Sequence, residues 1–297
     1  MSFPRLLGLA SAATALALGL TACGGGNTGS DTGGRIDVVA STNVWGSVLS
    51  AVGGDQVAVT AIIDDPSADP HSYETTPEDA IAAQKAQLTL ANGGGYDDFF
   101  GKLADQAASA RKLNAYDIGA TGDENEHVWY SFTTVAKVAD QVAAELGRIK
   151  PDAAQTFTAN ATNFKAQLDQ LTRKAAQIGS SHPGTKILVT EPVAHYLVQE
   201  AGITDATPER FSEAVEEETD VPPAAVAEVN DLITGKQVRA LINNEQTVTP
   251  VTGQVVATAN GAGVPVVGVT ETLPAGTTDY IAWMTGEVDD LAKALNS

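Results

Sequence analysis

The 297-residue chain has one cysteine, few aromatic residues and far fewer basic than acidic side chains. The lone Cys23 excludes an intrachain disulfide framework. Lys and Arg number 17 against 37 Asp and Glu, which gives a net charge of −20. A surface this acidic repels phosphate backbones, so we expect no nucleic acid partner. Aromatic residues are only 5% of the chain, and no aromatic cage for an organic solute is recognisable.

Long apolar runs are also scarce, and the only one lies at residues 6–20, directly after Arg5. It is too short to span a bilayer stably and is typical of a secretory signal. It ends in Leu20-Thr21-Ala22-Cys23, where small residues precede the lone cysteine as in a bacterial lipobox. We therefore expect a lipoprotein signal peptide at 1–22, acylation of Cys23 and a flexible Gly/Ser/Thr-rich tether at 23–34. The protein would be exported and lipid-anchored at the extracytoplasmic face of the bacterial cell membrane.

From about residue 35, strand-like apolar segments alternate with helical ones. The predicted strands cover residues 36–41, 57–63, 88–91, 186–190, 238–243 and 264–269. The predicted helices cover 44–52, a segment beginning at 76–77, 96–108, 133–149, 151–179, 193–201, 222–232, 249–262 and 280–295. This alternation predicts an α/β fold with mostly parallel sheets flanked by helices. We predict two lobes, at 35–150 and 181–297, joined by one long rigid linking helix at 151–180.

Four side chains that suit metal binding fall just beyond a predicted strand or in a loop: His71, His127, Glu191 and Glu271. Ligands of open α/β sheets bind beyond the carboxyl ends of the strands. Imidazole nitrogen and carboxylate oxygen are suitable donors for Mn, Fe or Zn. Spacing alone leaves solvated or capping roles open for each of them. His195 is a rival to Glu191, because a residue four positions later shares its face on a helix.

Four segments carry a family resemblance. The first runs from Asp69 to Asp79 (DPHSYETTPED), and the second is Glu126-His127-Val128-Trp129-Tyr130-Ser131. The third runs from Val189 to Tyr196 and the fourth from Gly268 to Leu273. They resemble the ligand segments of the metal-binding lipoproteins of zinc and manganese ABC importers, the cluster A-I or cluster nine solute-binding family. The family usually has proline in place of Glu126 and Asp in place of Glu271.

The resemblance implies two domains, a linking helix and one metal site between them, with ligands His71, His127, Glu191 and Glu271. The segment at 242–246 also resembles a family segment and implies that Glu245 lies close to the site. His195 would lie outside the ligand shell, as a residue that supports it or is exposed.

The transported ligand would be one divalent transition metal, Mn or Zn, with Fe(II) as a third candidate. In the resembled family a Glu at the third position is associated with manganese importers. The loop 119–125 also lacks the histidines of many zinc importers. Both features favour Mn, although Zn binds most N/O sites more tightly than Mn.

The resemblance implies an extracytoplasmic solute-binding lipoprotein, not an enzyme, that delivers the metal to an ABC importer permease with its ATPase. We expect a monomer. One alternative is a surface adhesin or interaction lipoprotein with a structural metal. A less favoured one is a metallohydrolase with Glu245 as its base, for which no HExxH motif, nucleophile elbow or phosphate loop is recognisable.

Overall fold

The computed structural model describes residues 34–66, 68 and 70–297. The predicted signal peptide, Cys23 and all but the last residue of the tether therefore lie outside the described residues, as does Asp69. The described residues belong to one compact unit. Within these ranges, no helix has both the length and the apolar character needed to cross a membrane.

Strands and helices alternate along the described chain. The strands are β1 (Ile36–Thr42), β2 (Val57–Ile63), β3 (Leu88–Ala91), β4 (Arg111–Asn114), β5 (Lys186–Val189), β6 (Thr204–Asp205), β7 (Leu241–Asn244) and β8 (Val266–Val269). The helices are α1 (Asn43–Gly53), α2 (Pro77–Lys85), α3 (Asp98–Gln106), α4 (Ala115–Gly119), α5 (Phe132–Ile149), α6 (Ala154–Ser181), α7 (His195–Glu200), α8 (Glu209–Glu216), α9 (Pro223–Thr234), α10 (Pro250–Ala262) and α11 (Tyr280–Leu295).

Each half of the molecule contains a four-stranded parallel sheet, with orders β2-β1-β3-β4 and β6-β5-β7-β8. In the first sheet Val38 pairs with Val59 on one side and Leu88 on the other. The strand order reverses between β1 and β3 and again between β5 and β7. A crevice forms beyond the carboxyl ends of the strands at such a reversal. The predicted α/β class with two mostly parallel sheets is confirmed.

Four short elements were not predicted: β4, α4, β6 and α8. The strands β4 and β6 are at sheet edges and have exposed or half-buried side chains, so they lack the apolar run that marks a central strand. Helix α8 buries Phe211 and Val215, but its charged residues hide the apolar face in the sequence. The helix predicted from residue 193 instead begins as a 3-10 turn, Pro192–Ala194, which leads into α7.

The linking helix α6 is 28 residues long, which corresponds to about 42 Å. Its buried residues alternate between spacings of four and three and form one stripe: Phe157, Ala161, Phe164, Leu168, Leu171, Ala175 and Ile178. This stripe belongs to a continuous hydrophobic core that also includes residues of both sheets and of α5 and α11. The helix therefore packs against both lobes along its length and does not bridge them through solvent.

The segment between β8 and α11 is attached to the N-terminal lobe by hydrogen bonds. The Asn43 side chain donates to the carbonyl of Leu273 and accepts from its backbone N–H. The Ser47 hydroxyl accepts from the backbone N–H of Tyr280, and the Tyr280 hydroxyl donates to the carbonyl of Trp129. The chain that follows the second sheet is thus held in place by the first lobe.

Helix α11 contains a buried carboxyl group, Glu287, which is 8% exposed. Its Oε1 accepts a hydrogen bond of 2.9 Å from Trp283 Nε1. Burial raises the pKa of Glu287 to about 8. The folded chain therefore holds this proton more tightly than the unfolded chain. The resulting stabilisation is complete below the unfolded pKa near 4.5 and is lost as the pH rises towards 8.

We predict that Glu287→Gln removes most of the loss of folding stability at high pH, because glutamine is neutral and keeps an acceptor for Trp283. The variant should unfold nearly like the parent near pH 5 and be more stable by about 4 kcal/mol near pH 8.5. Thermal or urea unfolding at the two pH values measures the difference. The matched control is Glu213→Gln, an exposed carboxylate on α8. Equal pH profiles for parent and Glu287→Gln would contradict the prediction.

Candidate metal site

The two candidate histidines come from loops of the N-terminal lobe. His71 follows β2 and is exposed, and its ring meets Tyr96 edge-on at a centroid distance of 5.1 Å. His127 is fully buried, and its ring packs against Trp129 at 5.1 Å. The Tyr96 ring lies near both imidazoles, since its centroid is 6.1 Å from that of His127. A shared aromatic wall thus brings together two histidines that are far apart in sequence.

The orientation of His127 is fixed by Asn125. The Asn125 Oδ1 accepts from the backbone N–H of His127 at 3.0 Å and lies 3.2 Å from its Nδ1. The Asn125 Nδ2 donates to the carbonyl of Pro192 in the C-terminal lobe, which sets the direction of the amide. The Nδ1 atom therefore carries the hydrogen, and Nε2 presents its lone pair. Burial, with the charges of His71 and His195, lowers the pKa of His127 to about 3, so this imidazole is neutral at ordinary pH.

The loop that carries His127 packs closely against a glycine turn after β3. Gly94 has φ of +70°, and a Cβ there would lie 2.8 Å from the Tyr116 ring and 3.1 Å from Glu126 Cβ. The side chain of Asn92 donates to the carbonyl of Glu126 at 2.9 Å. The turn thus requires glycine both for its backbone conformation and for the approach of the second histidine loop.

The two candidate carboxylates come from the C-terminal lobe and share one partner. Glu191 follows β5 and Glu271 follows β8, with exposures of 4% and 9%. Asn244, at the end of β7, donates from Nδ2 to Glu191 Oε2 at 2.5 Å and to Glu271 Oε1 at 2.8 Å. The amide of Asn244 therefore fixes both carboxylates at the strand-order reversal of the second sheet.

Three of the predicted ligands, His71, Glu191 and Glu271, line one cavity of about 40 Å³. Glu216, Glu218 and Thr247 complete its wall. A space of this size holds a single ion or water, whereas organic ligands occupy about 300–1,000 Å³. His127 reaches the same place, because its Nε2 is 3.3 Å from Glu216 Oε1.

The negative charge of the cavity is concentrated. The ligand atoms of His71, Glu126 and Glu216 all lie within 4.8 Å of one another, a spacing that could hold a metal ion. Burial, together with the charges of Glu126, Glu191 and Glu271, raises the pKa of Glu216 to about 9. A cation in the cavity would offset the repulsion that ionised Glu216 meets from these neighbours. The arrangement is therefore chemically suited to capture a cation.

His195 and Glu245 do not line this cavity. His195 Nε2 lies 2.8 Å from Asp123 Oδ2, at the edge of the interface between the lobes. Glu245 is exposed, and its carboxylate lies against Gly268. The expectation that Glu245 lies close to the site does not match this position. Successive side chains of an extended chain point to opposite faces, so Asn244 faces the site and Glu245 faces away.

Sequence reasoning did not identify Glu216 and Asn244 as site residues. Glu216 begins a run of three glutamates, which in sequence resembles a solvated surface. Asn244 lies in the segment that resembles the family, and its position at the end of β7 was the available signal. The 3.3 Å contact of Glu216 with His127 joins segments 89 residues apart and has no local pattern.

Comparison with known proteins places this geometry in a family. Residues 38–294 match the model described as "ZnuA: Zinc-uptake complex component A periplasmic". The chain belongs to this family. The manganese-binding lipoprotein MntA of Bacillus subtilis (strain 168) is 27% identical over 247 residues, which are 79% of each chain. A solved ZnuA structure superimposes with a TM-score of 0.72 at 20% identity, covering 89% of this chain and 99% of the other.

The periplasmic zinc-binding protein TroA of Treponema pallidum has the same fold, with a TM-score of 0.73 at 18% identity. The match covers 88% of this chain and 99% of TroA. The two solved structures therefore share the two-sheet fold of this chain.

We predict that Asn244→Ala weakens metal binding about 10- to 100-fold, because Glu191 and Glu271 lose the donor that orients them. Titration calorimetry with Mn(II) and Zn(II) measures the loss. The matched control is Asn243→Ala, the preceding residue of β7, for which the structure gives no side-chain hydrogen bond to either carboxylate. Equal affinities for parent and Asn244→Ala would show that the amide does not position the carboxylates.

Proposed function

We propose that this chain captures one divalent transition metal between its lobes and delivers it to an ABC importer permease with its ATPase. The observation that carries the proposal is the convergence of two imidazoles and several carboxylates on a cavity of about 40 Å³. Membership in the zinc-uptake component A family and the manganese-binding relative support it. His71, His127, Glu191 and Glu271 are the proposed core ligands.

The size and charge of the cavity argue against an organic solute, which would need a larger and less acidic space. The small cavity also argues against a hydrolase. A catalytic metal needs an open coordination position for a substrate and a base nearby. Glu245, the base of the metallohydrolase alternative, is exposed and lies against Gly268. Relatives such as PsaA of Streptococcus anginosus are named substrate-binding lipoproteins of ABC transporters, which supports a role without catalysis.

Binding and release would act on the contact between the lobes. His71 and His127 belong to the first lobe, whereas Glu191 and Glu271 belong to the second. A metal held by all four stabilises the closed arrangement by mass action. The permease would then have to weaken contacts on one side of the site to take the metal.

The first test is metal content and thermal unfolding of the purified protein with Mn(II), Zn(II) and Fe(II). We expect about one metal per chain and a rise in melting temperature of several degrees at saturating metal. His71→Ala should abolish most of this rise, because it removes a ligand of the first lobe without leaving a buried charge. His182→Ala, in a turn after α6, is the control and should behave like the parent. No bound metal and no thermal shift would refute the proposed capture role.

We also propose that the protein is exported and anchored through lipid on Cys23, as in relatives named lipoproteins. Two or more acyl chains give stable membrane attachment. Cys23→Ser should move the protein from the membrane fraction to the soluble fraction and abolish labelling by a radioactive fatty acid. Metal binding should stay unchanged in this variant. Continued membrane attachment of Cys23→Ser would refute acylation as the anchor.

A further inference from the structure

Glu216 lies at the C-terminal end of α8, and this short helix carries it into the space opposite His127. Phe211 and Val215 of the same helix are buried in the core of the C-terminal lobe, so the helix end is firmly placed. The Glu216 side chain is only 17% exposed, and its Oε1 is 3.3 Å from His127 Nε2. None of the four segments that resemble the family contains this residue.

The contact between the two side chains has the dimensions of a shared cation site. Bonds from a transition metal to imidazole nitrogen or carboxylate oxygen are about 2.0–2.2 Å long. Two ligand atoms at right angles around one ion are therefore about 3 Å apart. The 3.3 Å between His127 Nε2 and Glu216 Oε1 fits adjacent positions around one ion. The Glu216 carboxylate also lies within 4.8 Å of ligand atoms of His71 and Glu126, so it takes part in both close contacts.

A second observation concerns His127 itself. Its side chain is only 1% exposed, and among the described residues Nε2 has no hydrogen-bond partner. Because Asn125 fixes the hydrogen on Nδ1, the Nε2 lone pair points towards the Glu216 carboxylate. A lone pair and a carboxylate oxygen at this distance repel each other unless a proton or a metal ion lies between them. A metal ion bound to both removes the repulsion.

We propose that Glu216 is a further ligand of the captured metal, and that it shifts the preference of the site from Zn(II) towards Mn(II). This inference rests on the proposed capture function. With Glu216 the site offers five side-chain ligands, of which three are carboxylates. Zinc in protein sites is mostly four-coordinate and tetrahedral, whereas oxygen-rich sites with more ligands suit manganese. The extra carboxylate thus favours the ion that accepts a larger coordination number.

The test compares Mn(II) and Zn(II) affinities of the purified parent protein with those of Glu216→Gln and Glu216→Ala. Removing the carboxylate should weaken Mn(II) binding about 10- to 100-fold and Zn(II) binding much less, so the ratio of the two affinities falls about tenfold or more. X-ray absorption of bound Mn(II) should record about one fewer oxygen or nitrogen ligand in Glu216→Ala. Glu213→Gln, an exposed glutamate one turn earlier on α8, is the matched control and should change neither value.

Several results would overturn the inference. Unchanged affinities in both Glu216 variants would show that Glu216 does not bind the metal. An equal loss for Mn(II) and Zn(II) would reduce its role to general attraction of cations. Circular dichroism of the variants separates loss of a ligand from loss of the fold. If the parent protein itself binds no metal, the proposed capture function fails, and this result is distinct from a failure of the Glu216 assignment.

Discussion

The repulsion between buried carboxylates is the constraint on which the rest of the structure depends. Glu191, Glu216 and Glu271 line one cavity of about 40 Å³, and Glu126 lies beside it. Carboxylates this close together repel one another in a space that water barely enters. The raised pKa of Glu216, about 9, expresses this conflict when protons are the only available cations. A divalent metal would offset the repulsion between the carboxylates, and the surrounding hydrogen bonds fix their positions around the cavity.

Those contacts come from both lobes, so the site is a property of the interface between them. Asn244 holds Glu191 and Glu271 from within the second lobe. Gln246 accepts from the backbone N–H of Glu271 and donates to the carbonyl of Pro66 in the first lobe. Asn125 holds His127 and donates to Pro192 across the interface. A small movement of one lobe relative to the other would therefore change the positions of His127 and Glu271.

The continuous core limits how large such movements can be. The buried stripe of α6 packs against both lobes, and the ring of Phe164 lies 6.0 Å from that of Tyr280 in α11. The hydrogen bonds of Asn43 and Ser47 then attach the segment after Glu271 to the first lobe. A hinge of wide opening would have to break this core. Release by a local shift of the ligand loops disturbs far fewer buried contacts.

The sequence was sufficient to predict the alternating strands, the long helix and the segments that carry His71, Glu191 and Glu271, which the structure brings to one cavity, because these depend on local patterns. Thr76 illustrates such a pattern, since it caps α2 directly before Pro77 and forms a reciprocal capping box with Asp79. Glu216 and Asn244 could not be assigned in the same way. Their roles depend on contacts between segments far apart in the chain, and neither has a distinctive local spacing.

The choice of metal depends on residues of both kinds, those in the ligand motifs and those placed by long-range contacts. The ligand motifs supply imidazoles and carboxylates that any divalent transition metal would accept, and by affinity alone zinc would outcompete manganese at them. Discrimination must then come from the number and geometry of the donors. Helix α8 adds a carboxylate directly opposite a buried imidazole, so it changes the coordination number and not only the charge. Helix α8, which the sequence pattern did not predict, is therefore the element best placed to determine which metal the site prefers.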